Sequence, residues 1–279
     1  MPTVGNKLKT KLKYSIVNHD KLTKQDSDDL NQFTVALSNW YPIGDRKFTI
    51  RFSEANYFDF FKSMGTEGFH IVCRHGPLVV GSLCARLVRG AWYFCDLKVH
   101  PDYRGHKITY RLFMRNCIRA WFRSSRGYAI SMYPNEAVSK LNSGFRLVHM
   151  ENMGFVYIYL LDYQVFMGDV YGRLVWYYGH RFNGFLNINC AKKIILDGSF
   201  GEELQVLHFY HDDTPRAGLI TPDITDNANA AYAGYKVFFC ILEKDMSIVN
   251  VKHPHYGMAT LYAKDMGIGK FANLGTYEI

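Results

Sequence analysis

The chain opens on alternation: Lys7, Lys9, Lys11 and Lys13 interleave with Leu8 and Leu12 ahead of Ile16 and Val17. Successive strand side chains face opposite sides, so this period of two predicts a first or edge strand. Asp26, Ser27, Asp28 and Asp29 then offer helix-capping oxygens before Leu30, Phe33, Val35 and Leu37. A second helix is expected from Tyr57, Phe58, Phe60 and Phe61, stopping near Gly65. Three strand-like runs follow at residues 69–73, 78–87 and 92–99, divided by His75-Gly76-Pro77 and Arg89-Gly90. Those turn signals predict an antiparallel meander. At residues 107–123 the period becomes helical, with Ile108, Leu112, Met114, Cys117, Ile118 and Trp121 on one face. Residues 128–133 read as a strand, part of 135–152 as a helix, and 155–161 as a strand. The order predicts an α+β fold with a mixed, mainly antiparallel sheet and flanking helices. The step from residue 92 to 133 is a crossover, so its two strands can run parallel.

Beyond residue 161 the pattern starts again. Strand-like runs lie at 174–178, 185–188, 193–196 and 204–210, and 226–242 reads as a helix. Residues 247–251 read as a strand and 259–266 as a short helix. Two α+β units are therefore expected, 1–161 and a smaller 162–279.

Of 279 residues, 48% are apolar and 16% aromatic, enough for a core in each unit and too many for a disordered chain. No run of 18 apolar residues occurs, so neither a transmembrane helix nor a membrane partner is expected. Residues 1–15 lack an apolar stretch, so a signal peptide is not expected either. The six cysteines form no CxxC pair and sit mostly in apolar runs, which predicts reduced thiols and a cytoplasmic location. His208 and His211 would point to opposite faces of a strand, and neither they nor His253 and His255 are expected to hold a metal.

Charge narrows the search. The chain carries +8, but residues 103–135 hold seven basic groups and no acidic one. That segment begins at the turn Val99-His100-Pro101-Asp102-Tyr103-Arg104-Gly105-His106-Lys107, between a strand and a helix. First-turn amides of a helix have no intrahelical partner and form an anion site. Gly105 allows close backbone approach, and Arg104, His106 and Lys107 add donors, so a phosphate or pyrophosphate is the natural guest. Lys107, Arg111, Arg115, Arg119 and Arg123 continue every fourth residue as one drifting stripe. The stripe is either a solvated helix face or a track for an acidic acceptor or a nucleic-acid backbone.

Val99-His100-Pro101-Asp102-Tyr103-Arg104-Gly105 resembles the acetyl-CoA loop of the GNAT N-acyltransferases, V-x-P-x-x-R-G-x-G-x-G/A. Lys107 and Thr109 stand where that family favours small residues. His149-Met150-Glu151-Asn152-Met153-Gly154-Phe155 is similar to the family's L-Y/H-E-K-L-G-F ending, with Met150 where many members keep a tyrosine. The resemblance covers about residues 10–161. It implies acetyl-CoA as co-substrate and a primary amine as acceptor. It places the pyrophosphate on Arg104, Gly105, His106, Lys107, Ile108 and Thr109, and the pantetheine along the backbone of Leu97 and Val99. Leu261-Tyr262-Ala263-Lys264-Asp265-Met266-Gly267-Ile268 also resembles that ending, which implies a degenerate second GNAT-like unit without the loop.

Acyl transfer to an amine needs a base. Asp96, the only carboxylate on its strand, is the first candidate; Tyr93 through a water, and His149, are the others. The acceptor is unknown. An acidic acceptor, or nucleic acid along Arg111, Arg115, Arg119 and Arg123, would suit the stripe. Two other readings stay open: a nucleic-acid-modifying or nucleic-acid-binding protein on this fold, and an interaction protein that has lost CoA.

Overall fold

The meander expected between residues 69 and 99 is present and anchors the larger of two sheets. A computed structural model describes residues 11–37, 40–43, 45–52, 57–133, 145, 148–178, 184–187, 192–197, 202–211, 219–220, 230–249 and 252–267. In chain order, the first half gives β1 (Lys13–Asn18), α1 (Lys24–Ala36), β2 (Trp40–Ile43), β3 (Arg46–Phe52), α2 (Tyr57–Ser63), β4 (Glu67–His75), β5 (Leu78–Val88), β6 (Ala91–Val99), α3 (Ile108–Trp121), β7 (Gly127–Tyr133) and β8 (Glu151–Asp162). The second half gives β9 (Gly184–Asn187), β10 (Lys192–Leu196), β11 (Glu202–Glu203), β12 (Val206–His211), β13 (Leu219–Ile220), β14 (Lys236–Leu242) and β15 (Gly257–Lys264).

Among the described residues the large sheet runs β1-β4-β5-β6-β7-β15-β8-β14-β12-β9-β13. Most of its pairs are antiparallel; β6 with β7 and β12 with β14 are parallel. A small sheet, β11-β10-β3-β2, joins a hairpin from each half through the β10–β3 pair. The chain is thus α+β, with a mixed, mainly antiparallel sheet, helices beside it and a second, smaller α+β part.

The two halves exchange strands. The parallel pair β6–β7 is extended by β15, from the end of the chain, while the parallel pair β12–β14 is extended by β8, from the middle. β8 and β15 lie against each other at the centre of the sheet. The run 155–161 lies within β8.

Several local expectations change. Residues 236–242 and 257–264 are central strands, where helix was expected. Strands buried on both faces read as continuous apolar runs, which periodicity cannot separate from helix. Residues 174–178 belong to a helical stretch instead of a strand. It runs Tyr163–Val165, a π-helical Phe166–Tyr171, then Gly172–Tyr178. Phe166, Val170 and Leu174 are buried four residues apart, while Trp176 faces out. Residues 246–249 are a short helix, where a strand was expected. The helix expected within 135–152 falls mostly outside the described residues. The cap of α1 is Thr23, whose Oγ1 accepts from Asp26 N–H at 3.1 Å.

Three buried clusters result. One lies on the α1–α2 face of the large sheet and reaches the small sheet through Phe48 and Ile194. The second lies between the sheet and α3, and the third joins β8 to the helical stretch 163–178 and the strands of the second half. α3 buries Ile108, Leu112, Phe113, Cys117 and Ala120, but Ile118 and Trp121 face out. The stripe arginines reach the first strands. Arg115 lies over Tyr14 at 4.2 Å, and Arg119 lies over Phe69 while donating to Asn18 Oδ1 at 2.9 Å. Arg123 pairs with Glu67 at 3.8 Å. Among the described residues no helix is long and apolar enough to cross a membrane.

Candidate active site

Two adjacent strands part at the centre of the first half. β6 and β7 pair as Trp92–Gly127, Tyr93–Tyr128 and Phe94–Ala129, and the pairing stops there. Among the described residues, the rest of β6, 95–99, pairs only with β5. Peptide groups on the β7 side are therefore available to an extended guest, as they are at a sheet edge.

A bulge marks the opening. Between the Cys84–Cys95 and Ser82–Lys98 pairs, β6 spends one residue more than β5, and Asp96 takes a left-handed φ of 51°. The extra residue reverses the alternation of the strand. Tyr93 and Cys95 belong to the α1–α2 face, while Leu97 and Val99 belong to the α3 face. Asp96 and Lys98 are thereby turned to the α1–α2 side, where Asp96 meets Tyr57 of α2. A non-glycine residue at positive φ carries local strain, which the surrounding contacts must hold.

Those contacts form one line. Tyr57 Oη donates to Asp96 Oδ2 at 2.5 Å, and Lys98 Nζ donates to Asp96 Oδ1. Tyr57 Oη also lies 3.2 Å from His70 Nε2. His70 Nδ1 lies 2.8 Å from His19 Nε2, and Arg86 reaches His19 Nδ1 at 3.0 Å. Arg86 also donates to the carbonyl oxygens of Lys62 and Gly65. His19, His70, Tyr57 and Arg86 are each at most 2% exposed. Room for the guanidinium comes from Gly68, directly opposite Arg86 in the β4–β5 register. A Cβ at Gly68 would fall 2.1 Å from Arg86 Nη1.

Burial sets the protonation of this line. It pushes His19 down to about 2, with His70, Arg86 and Lys62 adding to the effect. Burial pushes His70 down to about 3, with Lys98 and Arg86 adding. Tyr57 is held well above the usual phenol range by burial and then by the Asp96 carboxylate. Cys84, opposite Cys95, brings its sulfur within 4.8 Å of ligand atoms of His19 and His70.

The loop after β6 supplies the second part of the site. His100 Nδ1 accepts from Asp102 N–H at 3.3 Å, and Tyr103 packs on His75 with Oη 2.7 Å from Nδ1. Gly105 has φ 88° and Lys107 φ 57°, so two left-handed residues turn the chain into α3. The first helical bond runs from Arg111 N–H to Lys107 C=O. The amides of Ile108, Thr109 and Tyr110 thus precede the helical ladder. Arg104, His106 and Lys107 are exposed beside them.

Other expected residues are placed elsewhere. Tyr93 is buried and stacks on Tyr128 with centroids 4.9 Å apart. His149 is exposed in the turn before β8 with φ 58°, and no hydrogen bond among the described residues joins it to Asp96. Met150 is buried in the α3-side cluster. His253 pairs with Asp169 at 3.0 Å and His255 packs edge-on to Tyr157. His208 is buried against Phe238, and the side chain of His211 falls outside the described residues. Sequence reading passed over His19, His70 and Arg86. The Gly68–Arg86 pair was visible only as two unremarked letters, because its meaning depends on strand register.

Solved structures are similar in fold. A tandem GNAT protein from the clavulanic acid biosynthesis pathway, solved without AcCoA, is 13% identical with a TM-score of 0.50; the match covers 91% of this chain and 98% of that one. The chain has the GNAT fold. The near-complete coverage by a tandem protein is consistent with two GNAT-like units. A putative acetyltransferase from Pyrococcus horikoshii matches at 10% identity and a TM-score of 0.49, over 92% of this chain and 90% of that one. The ribosomal-protein-S18-alanine N-acetyltransferase from Escherichia coli matches at 11% and 0.39, over 51% of this chain and 81% of that one. No protein-family model and no curated protein matches the sequence.

Proposed function

We propose that the chain is an N-acetyltransferase that uses acetyl-CoA and acts on a primary amine. The observation that carries this reading is the parting of β6 from β7 at the Asp96 bulge, next to the open start of α3. These residues fit the proposed co-substrate. The early amides of α3 with Arg104, His106 and Lys107 match a pyrophosphate, and the β7-facing peptide groups of residues 95–99 match an amide-bearing chain such as pantetheine. Bound there, acetyl-CoA would supply an activated thioester carbonyl.

The protein's own groups divide the remaining work. A backbone N–H along β6 can donate to the carbonyl oxygen as it gains charge. Asp96, on the α1–α2 side of the strand, takes the proton that the attacking amine must lose as the C–N bond forms; the C–S bond then breaks and the departing thiolate takes its proton from solvent. Lys98 compensates the carboxylate charge and keeps it in place.

Isothermal titration tests the reading. Acetyl-CoA and CoA are expected to bind with micromolar affinity, and Lys107→Glu is expected to weaken both about ten-fold or more. No binding of either at high micromolar concentration would overturn it.

A further inference from the structure

The line from Arg86 to Asp96 has a direction. A guanidinium only donates, so His19 Nδ1, 3.0 Å away, must accept. A neutral His19 then carries its proton on Nε2 and donates to His70 Nδ1 at 2.8 Å. His70 in turn carries its proton on Nε2 and donates to Tyr57 Oη, which donates to Asp96 Oδ2. Every donor points toward Asp96, and a single arginine fixes both histidine tautomers.

We propose that Arg86, His19, His70 and Tyr57 form a one-way hydrogen-bonded line that keeps Asp96 a pure acceptor at the parting of β6 and β7, with His70 and Tyr57 as positioning residues. The role given to Asp96 rests on the acetyltransferase reading; the line itself does not. One consequence is chemical. A proton taken from the amine cannot retreat along the line, because Tyr57 Oη already donates and His70 would have to become a buried imidazolium. The proton stays on Asp96 until it leaves on the open side of the strand. Another consequence concerns metals. His19, His70 and Cys84 are close enough to ligate a cation. The direction of the line places a proton on His19 Nε2 and a guanidinium on Nδ1, so His19 offers no free lone pair.

The groups facing the two rings set the terms of a test: Lys62 on α2, Arg86 and Cys84 on β5, and Lys98 and Asp96 on β6. The test is nitrogen-15 NMR of histidine-labelled protein between pH 5 and 8. His19 and His70 are both expected to remain neutral with the proton on Nε2. A proton on Nδ1 of either ring, or titration of either near the free value of about 6.5, would overturn the line. So would stoichiometric zinc binding that His70→Asn abolishes.

A second arm uses Tyr57→Phe, which keeps the ring and removes the O–H. With acetyl-CoA and a panel of a lysine peptide, spermidine and an aminosugar, kcat is expected to fall about ten-fold or more while CoA affinity changes less than two-fold. Its acidic pH limb should also shift. An unmoved pH profile would overturn the positioning role, as would a wild-type chain that binds no CoA, whereas the tautomers decide the line independently of both.

Discussion

The two halves of the molecule part their sheet in the same way and place different residues beside the parting. β6 and β7 pair over three residues and separate, and β12 and β14 also pair over three, Val206–Lys236 to His208–Phe238. Past that point the first half places a bulge, Asp96, Lys98 and a line of buried polar groups. The second half places aromatic packing. Phe209 lies 5.0 Å from Phe166, which also meets Phe239, and Phe239 stacks on Tyr159. The strands part in each half; the residues beside the parting are polar in the first and aromatic in the second.

Substitutions can break this contrast. The largest effect is expected from Asp96→Asn, which should lower the acetyl-transfer rate by about 10²–10⁴-fold with little loss of CoA affinity. An unchanged rate-versus-pH profile would remove Asp96 as the base. Phe209→Ala is its counterpart in the second half. It should destabilise the fold by about 3–5 kcal/mol in denaturant unfolding and leave CoA affinity intact. A loss of CoA binding in the folded variant would mean that the two openings are not independent.

The histidine pair gives a pH signature. Both rings are depressed in the folded chain, so the unfolded chain binds more protons below its own pKa of about 6.5. The stability they confer is complete above that pH and falls as pH drops toward the folded values of about 2 and 3. Each histidine contributes a slope of about 1.4 kcal/mol per pH unit in that window. His70→Gln should lower the slope of unfolding free energy against pH near pH 5 by about 1.4 kcal/mol per pH unit. An unaltered slope would contradict the burial argument.

How much of this was readable in the sequence follows from the range of each signal. The loop at residues 100–107 and helix α3 were legible, because turn residues, basic groups and the change of period lie next to one another. Asp96 was legible as the sole carboxylate on its strand, but its direction was not. Simple alternation puts Asp96 on the face opposite Tyr93 and Cys95, and only the bulge reverses it. The polar line was not legible, since His19, Tyr57, His70 and Arg86 come from four elements. The exchange of β8 and β15 was hidden too, because Lys236–Leu242 and Gly257–Lys264 are central strands that lack period-two alternation.

The most direct test of the central claim is an amide-resolved NMR titration of the full chain with CoA. The largest shifts are expected on the backbone amides of residues 95–99 and 104–110, with those of 206–211 unmoved. Shifts centred on 206–211, or no shifts at all at saturating CoA, would contradict it.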